Sequence, residues 1–139
     1  MSARRTLLSA LAVAPFGASR AGMAAQPAPG RQDALLLALD VQRATATRRE
    51  EAAYRLADAR TGKAQQAAER EATLAFEEWA GIMERMAATP AQGLAGIAVK
   101  AAQVCRALET GRSEPDKDLA ESLQADIARL LPAATSLTS

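Results

Sequence analysis

The chain has 139 residues, no histidine, 17 basic against 16 acidic side chains, and very few aromatics. That length suits one domain. The absence of histidine excludes histidine-based triads, the commonest general base and most zinc and di-iron sites. The near-balanced charge argues against a dedicated nucleic-acid or anionic-membrane surface.

Residues 1–25 read as a signal peptide. A basic head, Met1 to Arg5, precedes a modestly apolar run from Thr6 to Gly17, then Arg20 and small residues. That order is the one a secretory peptidase reads. The paired Arg4 and Arg5 resemble a twin-arginine leader, with departures at Ser2, Leu7 and Ser9. Gly22-Met23-Ala24 places cleavage after Ala24, with Ala25 as the alternative, which makes the product periplasmic or secreted. The apolar run is too short for a bilayer span of about 20 residues, so no stable span is expected after cleavage. If the stretch is not a leader, the protein is cytoplasmic. Setting aside Arg4, Arg5 and Arg20 leaves 14 basic against 16 acidic groups, a net of −2.

Residues 26–31 read as a disordered linker, and residues 32–132 as a four-helix domain. Ala, Leu, Arg, Glu and Gln dominate, all strong helix formers, and no period-two strand pattern occurs. The first helix starts near Gln32 or Asp33, an acidic start that suits the helix dipole. It runs through "DALLLALDVQ" to Tyr54 and Leu56, and Gly62 marks the turn. The second helix spans Lys63 to Met86 or Ala88. Its apolar stripe is Ala72, Phe76, Trp79, Met83 and Met86, spaced like a coiled-coil seam. A turn centred on residue 62 sets Leu39 against Arg85, Val41 against Met83 and Tyr54 against Arg70. The large apolar groups then gather at the open end, and the tip is polar and alanine-rich.

Thr89 reads as the N-cap of a third helix, with Pro90 at its first position and Gln92 completing a capping box. Leu94, Ile97, Ala101, Val104 and Leu108 make its stripe, and Gly111 its left-handed stop. Gly93 and Gly96 predict close approach by another helix. The fourth helix is capped by Ser113, buries Leu119, Leu123, Ile127 and Leu130, and ends at Pro132. Residues 133–139 form a disordered tail. The expected fold is all-α: a long antiparallel hairpin with a short helical pair at its open end. Its expected core is Leu35, Leu36, Leu39, Phe76, Trp79, Ile82, Met83, Met86, Leu94, Ile97, Val104, Leu108, Leu119, Leu123, Ile127 and Leu130.

The chain resembles a family of short alphaproteobacterial helical proteins. They share a twin-arginine-type leader, an "ALLAL" helix, a Trp-bearing helix and a "TPA-x-x-LAG-x-x-x-KA" segment. The matching residues here are Ala34 to Leu39, Trp79, Thr89 to Ala91, Leu94 to Gly96, and Lys100-Ala101. The resemblance implies the architecture and export, and it carries no activity.

No catalytic, cofactor or metal residues emerge. Cys105 reads as a small buried residue on the third helix, with an intermolecular disulfide as its other role. Glu77-Glu78 and Glu69-x-Glu71 diverge on a helix and read as solvated surface. Arg48-Arg49 beside Glu50-Glu51 reads as a salt-bridged face, and Trp79 as core. The leading expectation is a non-enzyme, a small exported helical protein acting through protein–protein contacts or self-association. A cytosolic helical protein, of the kind a mobile element carries, contacting a partner or nucleic acid is the alternative, and a carboxylate-only periplasmic enzyme trails both.

Overall fold

The computed structural model describes residues 28–111 and 114–131. Four helices account for them: α1 (Arg31–Asp58), α2 (Gly62–Ala88), α3 (Leu94–Thr110) and α4 (Glu114–Leu130). No strand occurs among the described residues. The fold is all-α, a long helical hairpin with a shorter pair at its open end. The leader, residues 26–27 of the linker, Ser113, Pro132 and the tail lie outside the described residues.

The hairpin is an antiparallel coiled coil. The buried positions of α1 are Leu36, Leu39, Arg43, Ala46, Glu50, Ala53 and Ala57, apart from Asp33 at its start. Their spacing alternates three and four, as a heptad seam requires. Ala68, Ala72, Ala75, Trp79, Ile82 and Met86 answer them from α2. Toward the turn both seams shrink to alanine, which lets the helices approach closely but buries little apolar area per residue. Across one flank, Arg49 holds Glu71 at 2.7 Å and also pairs with Glu78. This fixes the antiparallel register close to the one expected. Gly62 and Gly111 both take positive φ, at the start of α2 and the end of α3.

The second pair covers only the open end. α3 runs parallel to α1: Asp33 meets Gln92 just before α3, and Asp40 meets Gln103. α4 runs parallel to α2: Ser122 bonds Ala87 and Asp126 bonds Ala91. α1·α2, α2·α4, α3·α4 and α1·α3 form the sides of the bundle. The α2–α3 connection therefore crosses a diagonal. The hairpin arms have 28 and 27 residues, whereas α3 and α4 have 17 each. At about 1.5 Å per residue, the hairpin outreaches the pair by roughly 15 Å. Its outer part is a two-helix arm.

The third helix departs from its sequence reading. It begins at Leu94 with Gly93 as N-cap, not at Thr89. The Thr89 hydroxyl donates instead to the Arg85 carbonyl, closing α2. The Gln92 side chain accepts from the Gln32 N–H rather than completing a capping box. The inward face is also rotated. Leu94 and Leu108 are 83% and 81% exposed, and the buried positions are Gly96, Val99, Lys100 and Gln103. Ile97 and Val104 pack at the edge of the core. Lys100 and Gln103 can sit inside because Asp126, Ser122 and Asp40 satisfy them there, while Leu94 and Leu108 lie at the two ends of the helix.

Of the other expected core residues, Leu36, Leu39, Trp79, Ile82, Met83, Met86 and Leu119 are buried. Leu123 is half-buried. Leu35, Phe76, Ile127 and Leu130 are exposed. On α2 the seam passes through Ala75, so Phe76 sits one position off it. On α4 the carboxylate of Asp126 takes the inside, with Ile127 next to it at the rim and Leu130 at the helix end. Val41, expected against Met83, is exposed, and so is Cys105, expected in the core.

Candidate functional site

Two places concentrate polar groups. The first is at the open end, around the α2–α3 connection. Lys100 Nζ is fully buried and donates to Asp126 Oδ2 at 2.6 Å and to Ser122 Oγ at 2.7 Å. Ser122 passes its own hydrogen bond to the Ala87 carbonyl at 2.6 Å. Asp126 also accepts the Ala91 N–H at 2.9 Å and Arg129 at 3.0 Å, and Arg129 binds the Ala91 carbonyl. From the other side, Asp33 Oδ1 accepts the Gln92 N–H at 2.6 Å. Its negative charge also lies at the positive end of the α3 dipole.

These bonds clamp Ala91 to Gly96 between α1 and α4. Ala91 is fully buried, and Gly96 is packed so tightly that an added Cβ would fall 2.8 Å from the Ala91 Cβ and nearer still to Asp33. The close approach expected from Gly93 and Gly96 is thus that of Asp33 on α1. Burial pushes the Asp126 carboxyl up, but hydrogen bonds from Lys100, the Ala91 N–H and Arg129 outweigh it. The carboxyl is held below its ordinary value. Lys100, Ser122, Asp126, Arg129 and Asp33 are each engaged with one another or with the connection, which locks the bundle.

The second place is where α3 stops against the hairpin. Thr110 comes level with Thr47, and a cleft of about 210 Å³ opens there. Trp79 and Met83 form its floor, α1 contributes Arg43, Glu50, Glu51 and Tyr54, and α3 contributes Gln103 and Arg106. Arg43 is held by Asp40 at 2.9 Å, and Asp40 also accepts from Gln103 at 2.8 Å. Phe76 stacks on Trp79 with ring centroids 5.6 Å apart. Beyond the cleft the same flank of the hairpin continues uncovered, with Tyr54 and Phe76 52% and 41% exposed. The flank that α3 covers lower down is therefore bare on the arm.

Trp79 serves both the core and the cleft floor. Of Arg48-Arg49 and Glu50-Glu51, Arg49 forms salt bridges across to Glu71 and Glu78 on α2, and Glu50 is buried in the seam. The hydrogen bond to Glu71 and the charge of Glu78 raise the Arg49 pKa above its ordinary value. Glu69, Glu71, Glu77 and Glu78 are all exposed. Glu50 and Glu51 enter the cleft from one wall, not from opposite sides as two-carboxylate hydrolysis needs. No group of three metal-ligating side chains and no helix able to cross a membrane occurs among the described residues.

Sequence reasoning missed Asp33, Lys100, Ser122 and Asp126. The one available signal was Lys100 standing three and four residues from apolar positions of α3, where a solvated lysine is out of place. Comparison with family models, curated proteins and solved structures found no match to this chain.

Proposed function

We propose that this is a small exported helical protein that works by contact with other proteins through the outer part of its hairpin. The observation that supports this reading is the step in the bundle. The second helical pair stops near Thr110 while the hairpin continues, leaving Tyr54 and Phe76 exposed beside a cleft. Exposed aromatics of this kind are typical anchors of protein interfaces. The twin-arginine-like start, Arg4 and Arg5, supports export. The first reach of the chain is then an address and the helical domain the working product.

The test combines location with contact. The full chain is expressed with a photoreactive phenylalanine analogue in place of Tyr54, and the cells are fractionated after illumination. The reading expects a periplasmic product starting at Ala25 or Gln26, lost in an Arg4→Lys, Arg5→Lys double variant. It also expects a discrete covalent adduct from position 54 that is absent when the analogue replaces Glu77. A cytosolic product retaining Met1 overturns export. Equal adducts from positions 54 and 77 overturn the contact surface.

A further inference from the structure

We infer that the uncovered flank of the arm docks a basic amphipathic helix of a partner protein, laid along the line that α3 follows lower down. This rests on the reading of the arm as a contact surface and names the chemistry of what it contacts. The first support is continuity. In the heptad frame of the hairpin, Asp40, Thr47 and Tyr54 on α1 and Glu69, Phe76 and Met83 on α2 occupy the edge next to the seam. α3 packs on the lower part of that edge, through Asp40 and Gln103. The upper part continues that two-helix edge and adds two exposed aromatic rings, Tyr54 and Phe76, along the line a helix would take.

The second support is charge. Glu51 lines the cleft one turn before Tyr54, and Asp58 lies one turn after it, while Glu69 flanks Phe76 from α2. Glu69 is bonded to Gln65 at 3.0 Å, a neutral partner. The basic residues of the arm stand elsewhere in the heptad frame. Arg48, Arg55, Lys63 and Arg70 fall on the positions opposite the seam, Arg60 lies in the turn at the tip, and Arg49 is engaged on the far flank by Glu71 and Glu78. At the foot of the groove Arg43 is held by Asp40, which leaves Arg106 as the exposed base lining the cleft. The C-terminal end of α3 faces the same space, carries no basic residue in its last turn, and presents the negative end of its dipole. The flank is thus aromatic at its centre and acidic at its margins. A second copy of the chain fits it poorly, because a symmetric dimer on this flank would bring Glu51, Asp58 and Glu69 of both copies into one interface. Lysine or arginine on an incoming helix meets those carboxylates and lies over the aromatic rings.

The experiment titrates the purified full chain with a synthetic amphipathic peptide of leucine and lysine, about 14 residues or four turns long. A leucine–glutamate peptide of the same pattern is the counterpart. Emission from Trp79, the sole tryptophan, reports occupancy of the groove. The inference expects saturable binding of the lysine peptide and none of the glutamate peptide. It expects Glu51→Lys/Asp58→Lys to weaken binding about tenfold. Glu77→Lys/Glu84→Lys makes the same change in net charge on the opposite face and should leave binding within about twofold. Helix content measured by circular dichroism confirms that each variant is folded. Equal weakening by the two double variants, failure of the lysine peptide to bind, or binding of the glutamate peptide overturns the inference. So does a stable dimer of the free chain that Tyr54→Glu dissociates. A position-54 adduct in cells without lysine-peptide binding overturns the basic-helix chemistry and leaves the contact reading standing.

Discussion

Lys100 Nζ lies 2.6 Å from Asp126 Oδ2, and their side chains are 0% and 5% exposed. The pair joins α3 to α4, and Asp126 in turn holds the Ala91 N–H of the connection from α2. One ion pair thereby ties together the three pieces of chain that close the bundle. Such a pair adds little over an apolar replacement of both partners, but removing one partner leaves a buried charge without its counterion.

Lys100→Met should therefore cost about 3–5 kcal/mol of unfolding free energy. A Lys100→Met/Asp126→Leu double variant should recover part of that loss. Urea denaturation followed by circular dichroism measures both. A Lys100→Met midpoint equal to that of the parent would show that the pair does not lock the bundle.

The same pair sets an acid limit. The Asp126 carboxyl has its pKa lowered in the folded protein from an ordinary value of 3.8. The unfolded chain therefore binds more protons in the window just below that value, and stability rises with pH across it. The contribution is complete above about pH 5 and is lost as pH falls through the folded pKa. Asp126→Asn should be less stable at neutral pH and should lose less on acidification. Urea midpoints between about pH 6 and pH 2 test this. Parallel acid losses in the two proteins would contradict it.

Two helical glycines should respond in opposite directions. Alanine at Gly96 would drive its methyl into Asp33 and Ala91, so overpacking of about 1–3 kcal/mol should exceed the gain in helix propensity. Gly81 has nothing within 4 Å of an added Cβ. Gly81→Ala should stabilise by about 0.5–1 kcal/mol. Thermal melts of the two variants give the comparison, and a shift of the same sign in both would refute the packing account.

Cys105 is exposed on α3. The native protein should react with a thiol reagent such as dithiobis-nitrobenzoate as fast as the urea-unfolded chain does, within about twofold. Reaction only on unfolding would mean that the thiol is covered in solution.

The hairpin was legible because its two signals are local and redundant: a glycine at the turn, and large apolar residues gathered mainly at the ends away from it, Tyr54 and Leu56 excepted. The seam of α2 was read one residue off at Phe76, because pattern reading favours the larger ring over Ala75. The alanine-rich arm needs the smaller residue for close approach. The face of α3 was misread for a related reason. Leu94 and Leu108 advertise burial, but they flank the helix at its two ends, and the interior positions Lys100 and Gln103 are satisfied by Asp126, Ser122 and Asp40 from other elements. Those partners are 22 to 63 residues away in the chain, so no local period reveals them. The cleft was not legible at all, since it exists only where α3 ends against α1 and α2.

The hairpin has a covered base and a bare arm. Native-state hydrogen exchange read by mass spectrometry measures this directly. Amides of residues 50–72, in the arm, should exchange well before those of 80–87 and 96–104, which lie within the four-helix part. Addition of the leucine–lysine peptide should slow the arm alone. Equal protection along the whole hairpin in the free protein would show that the arm is already covered in solution, and would contradict the open docking flank.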